Sequence, residues 1–123
     1  MTQQEMTSDL LDLLLSTPVD QRWSILRDAG KPLEELHAMM LEVSNRTMVD
    51  LKSAKNSGKV VVELADVTND SLCMAKARRT LSRVLAYASE YDYAIETAND
   101  GSQIALQGGL QEEAARGQLA SMH

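Results

Sequence analysis

Apolar residues along this chain recur at the three- and four-residue spacing of helices, not at the alternation of half-buried strands. Leu10, Leu11, Leu14 and Leu15 fall on one side of a first helix. Ahead of them, Thr2-Gln-Gln-Glu5 has the spacing of a capping box. Ser16-Thr17-Pro18 stops that helix and starts the next. Thr17 suits the cap of this second helix, Pro18 its first position and Asp20 its first turn. Val19, Trp23, Leu26 and Ala29 then repeat at helical spacing. Gly30-Lys31-Pro32 ends the segment, with glycine where a left-handed cap is needed. A third helix begins near Leu33, carries Leu36, Met40 and Val43, and ends between Arg46 and Val49.

Asp50 is placed to cap a fourth helix running to about Val67. Its competitor is a local strand over Val60-Val-Val62, favoured by β-branched residues and by the turn-like Asn56-Ser-Gly-Lys59. No second strand of comparable quality stands elsewhere, and an unpaired strand leaves its backbone groups unsatisfied. The helix is therefore the reading adopted. Asn69-Asp70 caps a fifth helix, Ser71 to about Ala88, with Met74, Ala77, Leu81, Val84, Leu85 and Ala88 as its stripe. Ser89-Glu90 connects it to a sixth, from near Tyr91 to about Gln107, with Ala94, Ala98, Ile104 and Ala105 for packing. Asn99-Asp100-Gly101 is the expected place for a kink or early end. Gly108-Gly109 breaks the chain, and a seventh helix follows from Leu110, turning Ala114, Ala115, Leu119 and Met122 toward a partner. It reaches His123 with no cap and no closing partner, which points to a protein that continues further.

Composition narrows the core. Aromatics are 3% of the 123 residues, with no Phe, one Trp and three Tyr. The interior must be built from Leu, Val, Ile, Met and Ala, a mix that favours helices over a sandwich or barrel. The net charge of −6 makes nucleic acid and anionic membrane poor bulk partners. No run approaches the ~18 apolar residues of a membrane helix. Asp9 and Asp12 interrupt the short apolar Leu10 to Leu15, and no basic region precedes it, which argues against a secretory signal. The single Cys73 excludes an internal disulfide and suits a reducing compartment, so a cytoplasmic location is expected.

The small-residue pairs Ala54/Gly58 and Ala94/Ala98 lie 40 residues apart. Each sits early in the second helix of a hairpin, where small side chains let two helix backbones approach. Here the chain resembles a tetratricopeptide (TPR) repeat, best from Ala75 to about Gly108. Leu81 and Ser82 match that family's leucine and small residue in the first helix, and Leu85 its large residue near that helix's end. Tyr91 matches the aromatic before the second helix, and Ala94, Ala98 and Gly101 its small positions. Arg78 departs from the pattern, the usual proline is replaced by Gly108-Gly109, and the period is nearer 40 than the basic ~34 residues. Longer repeats of this kind resemble those of large bacterial regulatory proteins, some with a caspase-like peptidase domain. The resemblance implies an all-α fold of antiparallel helical hairpins stacked as a short solenoid. Residues 1–30 would form an N-terminal helical cap, 31–70 a degenerate hairpin, 71–109 the TPR-like hairpin, and 110–123 the first helix of an incomplete repeat.

Chemistry is sparse. His37 and His123 are the only histidines, and no Cys/His cluster has metal-ligand spacing. Glu34-Glu35 suits a helix start, and Asn56-Ser-Gly-Lys59 lacks the spacing of a phosphate loop. One Cys and two His do not assemble a nucleophile, base and orienting group. No enzyme, metal or cofactor is expected. Met39, Met40, Met48 and Met74 are expected to fill the core. One surface signal stands out. Lys76, Arg79 and Arg83 share a helix face at i, i+3 and i+7, and no Asp or Glu lies between Ser71 and Ser89. A solvated helix face is the plain reading. The resemblance implies a sharper one, in which these residues and Tyr87 line a concave groove that binds carboxylates of a protein or peptide partner. A regulatory module controlling an attached enzyme, and a small homo-oligomer paired through its last hairpin, are the alternatives.

Overall fold

The computed structural model describes residues 2–121, and over them the chain forms seven α-helices and no strand. They are α1 (Gln3–Leu15), α2 (Val19–Asp28), α3 (Pro32–Thr47), α4 (Leu51–Thr68), α5 (Ser71–Tyr87), α6 (Tyr91–Gln107) and α7 (Gln111–Ser121). From α3 onward the connections are two or three residues long, so each helix turns back along its predecessor. α3 packs on α4 and α5, α5 also on α4, α6 and α7, and α6 on α7. α1 and α2 pack chiefly on α3 and α4.

Local chemistry sets the helix ends. Thr2, Asp50 and Asp70 accept the backbone N–H three residues on, at 3.1, 3.1 and 2.9 Å. Each satisfies one of the donors that a helix start leaves without an intrahelical partner. α5 and α6 end in the same way. Glu90 N–H donates to Leu85 O and Ser89 N–H to Ala86 O; Leu110 N–H donates to Ala105 O and Gly109 N–H to Leu106 O. This is the Schellman pattern. It puts Gly109 at φ 75° and forces Ser89 to φ 62° without glycine's freedom.

One apolar cluster runs through α1 to α5. Leu11, Leu14, Leu26, Leu36, Met39 and Val43 have no exposed surface, and Leu64 and Val61 have 1%. Burying each such side chain contributes about 1.5–3 kcal/mol. Beyond α5 the packing changes character. α5, α6 and α7 meet through Ala75, Ala105 and Ala114, with Gly101 and Gly117 at the closest approaches. A Cβ on Gly101 would lie 3.2 Å from both Ala75 O and Arg78 Cβ. Helices at this distance gain from backbone-to-backbone contact more than from large side chains.

Two part-buried arginines fix the N-terminal helices. Arg46 of α3 donates to Glu42 Oε1 at 3.1 Å and to Ser8 Oγ at 2.8 Å, and stands 2.9 Å from Asp12 Oδ1. It also reaches Ser53 and Ser57 of α4 at 3.2 and 3.3 Å, so one guanidinium ties α1, α3 and α4 together. Arg22 of α2 donates to Leu14 O at 2.9 Å, Thr17 O at 3.1 Å and Glu63 Oε1 at 3.1 Å.

The helix adopted over Val60-Val-Val62 is borne out: this run and Asn56-Ser-Gly-Lys59 lie inside α4, where Ser57, Gly58, Val60 and Val61 face the core. Other local expectations are corrected. α6 runs unbroken through Asn99-Asp100-Gly101, since Gly101 is the residue that admits α5. Thr17 does not cap α2: its hydroxyl donates to Leu13 O at 2.6 Å, and Pro18 takes the cap position. Val19, Ala29, Ala115 and Leu119 are exposed, as is Met48, which is 76% accessible and so fills no core. Met39 and Met40 are buried and Met74 partly so. The expectations for Met122 and His123 lie outside the described residues.

Candidate functional face of α5

α5 carries all four sequence-selected residues, Lys76, Arg79, Arg83 and Tyr87. The structure divides them. Tyr87 is 63% exposed and Arg83 is exposed, while Lys76 and Arg79 are half-buried. Arg79 is already held within the molecule. Its Nε lies 3.2 Å from Glu113 Oε2 of α7, and the two side chains are only 16% and 5% accessible. The pairing is loose for such a buried site. Among the described residues, Arg79 Nε and Glu113 Oε1 have no hydrogen-bond partner. Desolvation lowers the guanidinium's pKa, Glu113 raises it, and Arg83 and Arg116 lower it again.

Lys76 faces a pocket of about 340 Å³ between α5 and α7, lined also by Leu72, Glu112, Glu113 and Arg116. Arg116 pairs with Glu112 at 2.7 Å on the exposed side of α7. On its other flank Lys76 acts on His37 of α3. Burial, the largest cause, and then Lys76 lower the His37 pKa from its ordinary 6.5, while Asp70 opposes them. Neither Lys76 nor Arg83 has an ion pair among the described residues.

These contacts define a register. α3, α5 and α7 begin at Pro32, Ser71 and Gln111, a spacing of 39–40 residues. His37, Lys76 and Arg116 hold matching places on these three alternate helices. Leu33 and Leu72 match one turn earlier, Ser44 and Arg83 two turns later, and Met48 and Tyr87 at the far end. Along each helix these positions fall within a narrow arc, because i, i+4, i+11 and i+15 share a face. On α5 the face has a cationic middle and apolar ends, on α3 only the apolar ends recur, and on α7 the matching places hold the paired Glu112 and Arg116: Leu33 is 40%, Leu72 37%, Met48 76% and Tyr87 63% accessible. His37, Arg116 and the shielding role of Glu113 escape the reading of α5 alone. The signal for them is the 39–40-residue offset.

Arg78, the residue that breaks the repeat pattern, lies off this face. It grips Asp66 through two nitrogens at 2.7 and 2.9 Å. Tyr91 is 57% exposed and Tyr93 64%. Cys73 is fully buried, and desolvation, followed by Asp70, raises its thiol pKa to about 11. A thiol so held is a poor nucleophile. Among the described residues no group of three His, Cys, Asp or Glu side chains is placed to hold a metal ion. Nor, among them, is any helix long and apolar enough to cross a membrane. The sequence matches no family model, and no curated protein and no solved structure matches it.

Proposed function

We propose that this chain is a non-catalytic protein-interaction module, a short TPR-like solenoid whose inner face on α3, α5 and α7 binds an acidic segment of a partner protein in the cytoplasm. The supporting observation is the distribution of charge. The chain carries a net charge of −6, yet among the described residues Lys76 and Arg83 have no ion pair, and they stand on a helix that has no carboxylate. Unpaired cations on one wall attract carboxylates and set the partner's register more than its raw affinity. Arg79 takes a supporting part, because Glu113 occupies it. At the matching places on the other two helices stand His37, whose pKa burial and Lys76 lower, and Arg116, which Glu112 already pairs.

The test is direct. A fluorescein-labelled peptide rich in Glu and Asp is titrated with the protein, and anisotropy is followed at low and at physiological salt. Binding that weakens with salt, and that Lys76→Glu and Arg83→Glu each weaken at least about tenfold, or ~1.4 kcal/mol, supports the reading. Equal binding by wild type and both variants, or none by wild type, overturns it.

A further inference from the structure

Eight of the twelve Lys and Arg side chains stand in ion pairs. Among the described residues the other four, Lys52, Lys59, Lys76 and Arg83, have none. They form two couples, each seven residues apart on one helix. Lys76 and Arg83 belong to the face of α5. Lys52 and Lys59 stand on α4, where both line a separate cavity of about 560 Å³ against Leu15 at the end of α1 and Arg22 of α2.

The charge in this cavity can be followed residue by residue. Arg22 is held by the Leu14 and Thr17 carbonyls and balanced by Glu63 at 3.1 Å. Asp50 also lines the cavity, but it caps α4, accepting the Ser53 N–H at 3.1 Å at the positive end of the helix. The two lysine charges are left unmatched. Their Cα atoms lie about 10 Å apart along α4, a span that two flexible four-carbon stems close on one anion. Asn56 stands between them on the same face. Ser53 Oγ accepts from Arg46 at 3.2 Å, which leaves its O–H to donate. Leu15 and Val60 supply an apolar wall.

We infer that this cavity binds a small phosphorylated molecule, its phosphate on Lys52, Lys59 and the Ser53 hydroxyl and its carbon body on Leu15 and Val60. A phosphate monoester carries a charge of about −1.5 to −2 at neutral pH and three acceptor oxygens, which matches two free lysines and a hydroxyl. A carboxylate brings one charge and leaves a lysine unmatched. The volume lies in the range of small-molecule sites. The site is independent of the α5 face.

The test titrates isotope-labelled protein with glucose 6-phosphate and with AMP, against glucose and gluconate. Amide shifts at Lys52, Ser53, Asn56 and Lys59 are expected with the phosphates and none with glucose, with gluconate at least about tenfold weaker. Lys52→Gln and Lys59→Gln should each weaken phosphate binding at least about fivefold, while Lys76→Glu with Arg83→Glu leaves it unchanged. Both lysines are exposed, and unchanged helicity by circular dichroism checks the fold. Vesicles containing phosphatidic acid are not expected to sediment the protein. The inference is overturned by no shift from either phosphate at concentrations on the order of 10 mM, by equal binding of gluconate, or by shifts that follow α5 instead of α4. Sedimentation with the vesicles without binding of the soluble esters overturns it as well.

Discussion

Replacing Arg46 by methionine tests how the N-terminal helices are held. Methionine keeps most of the aliphatic bulk and removes the charge. The Glu42 carboxylate, only 11% accessible, then loses the guanidinium 3.1 Å away. Breaking a buried pair from one side costs about 3–5 kcal/mol, because the remaining charge stays desolvated. Asp12 is 61% accessible and adds at most about 1 kcal/mol. The Ser8 and Ser57 hydroxyls lose a partner each, at about 1 kcal/mol apiece, but these losses overlap the first and do not add. The expected total is about 3–5 kcal/mol. At a urea dependence of about 2 kcal/mol per molar, the midpoint followed at 222 nm falls by about 2 M. Arg46→Met with Glu42→Gln removes the stranded charge and should recover at least about 1 kcal/mol. A single-variant loss below about 1 kcal/mol, or a double variant no better than the single, refutes the reasoning.

Gly117→Val should release α7, because even a Cβ there meets the Ser102 hydroxyl and lies 3.3 Å from Ala98 O. Faster amide exchange across α7, with α3 and α4 unchanged, is the expected readout. The buried Cys73 thiol, with its pKa raised to about 11, should react with a disulfide reagent at pH 8 only as fast as the fold opens, and quickly in denaturant. Its contribution to stability is complete below the ordinary thiol value of 9.0 and declines as pH rises from there toward 11. His37 has the opposite slope. Its pKa is lowered in the fold, so its contribution is complete above 6.5 and is lost as pH falls through 6.5 toward the lowered value. His37→Gln should therefore lose less stability than wild type between pH 7 and pH 5, as measured by urea midpoints.

The helix order is legible in the sequence because caps are local. Thr2, Asp50 and Asp70 sit three residues before the amides they cap, and Gly109 ends α6 from within the same turn. The ambiguous Val60-Val-Val62 resolves to helix because burial along α4, not intrinsic preference, decides. What resists the sequence is pairing between helices. The partners of Arg46 come from Ser8, 38 residues away, and from Ser57, and nothing in their spacing announces it. Gly101 reads as a helix weakness until α5 is seen against it. The basic stripe is visible on α5, but Glu113 reaches Arg79 from another helix, so only the tertiary fold separates the occupied cation from the free ones.

The central claim is tested most directly by mapping an acidic peptide onto the isotope-labelled protein by amide chemical shifts. Shifts concentrated at His37, Leu72, Lys76, Arg83 and Tyr87 on α3 and α5, and at Arg116 on α7, are the predicted result. Shifts confined to α4 and α6, or none at saturating peptide, would contradict the assignment of the inner face as the binding surface.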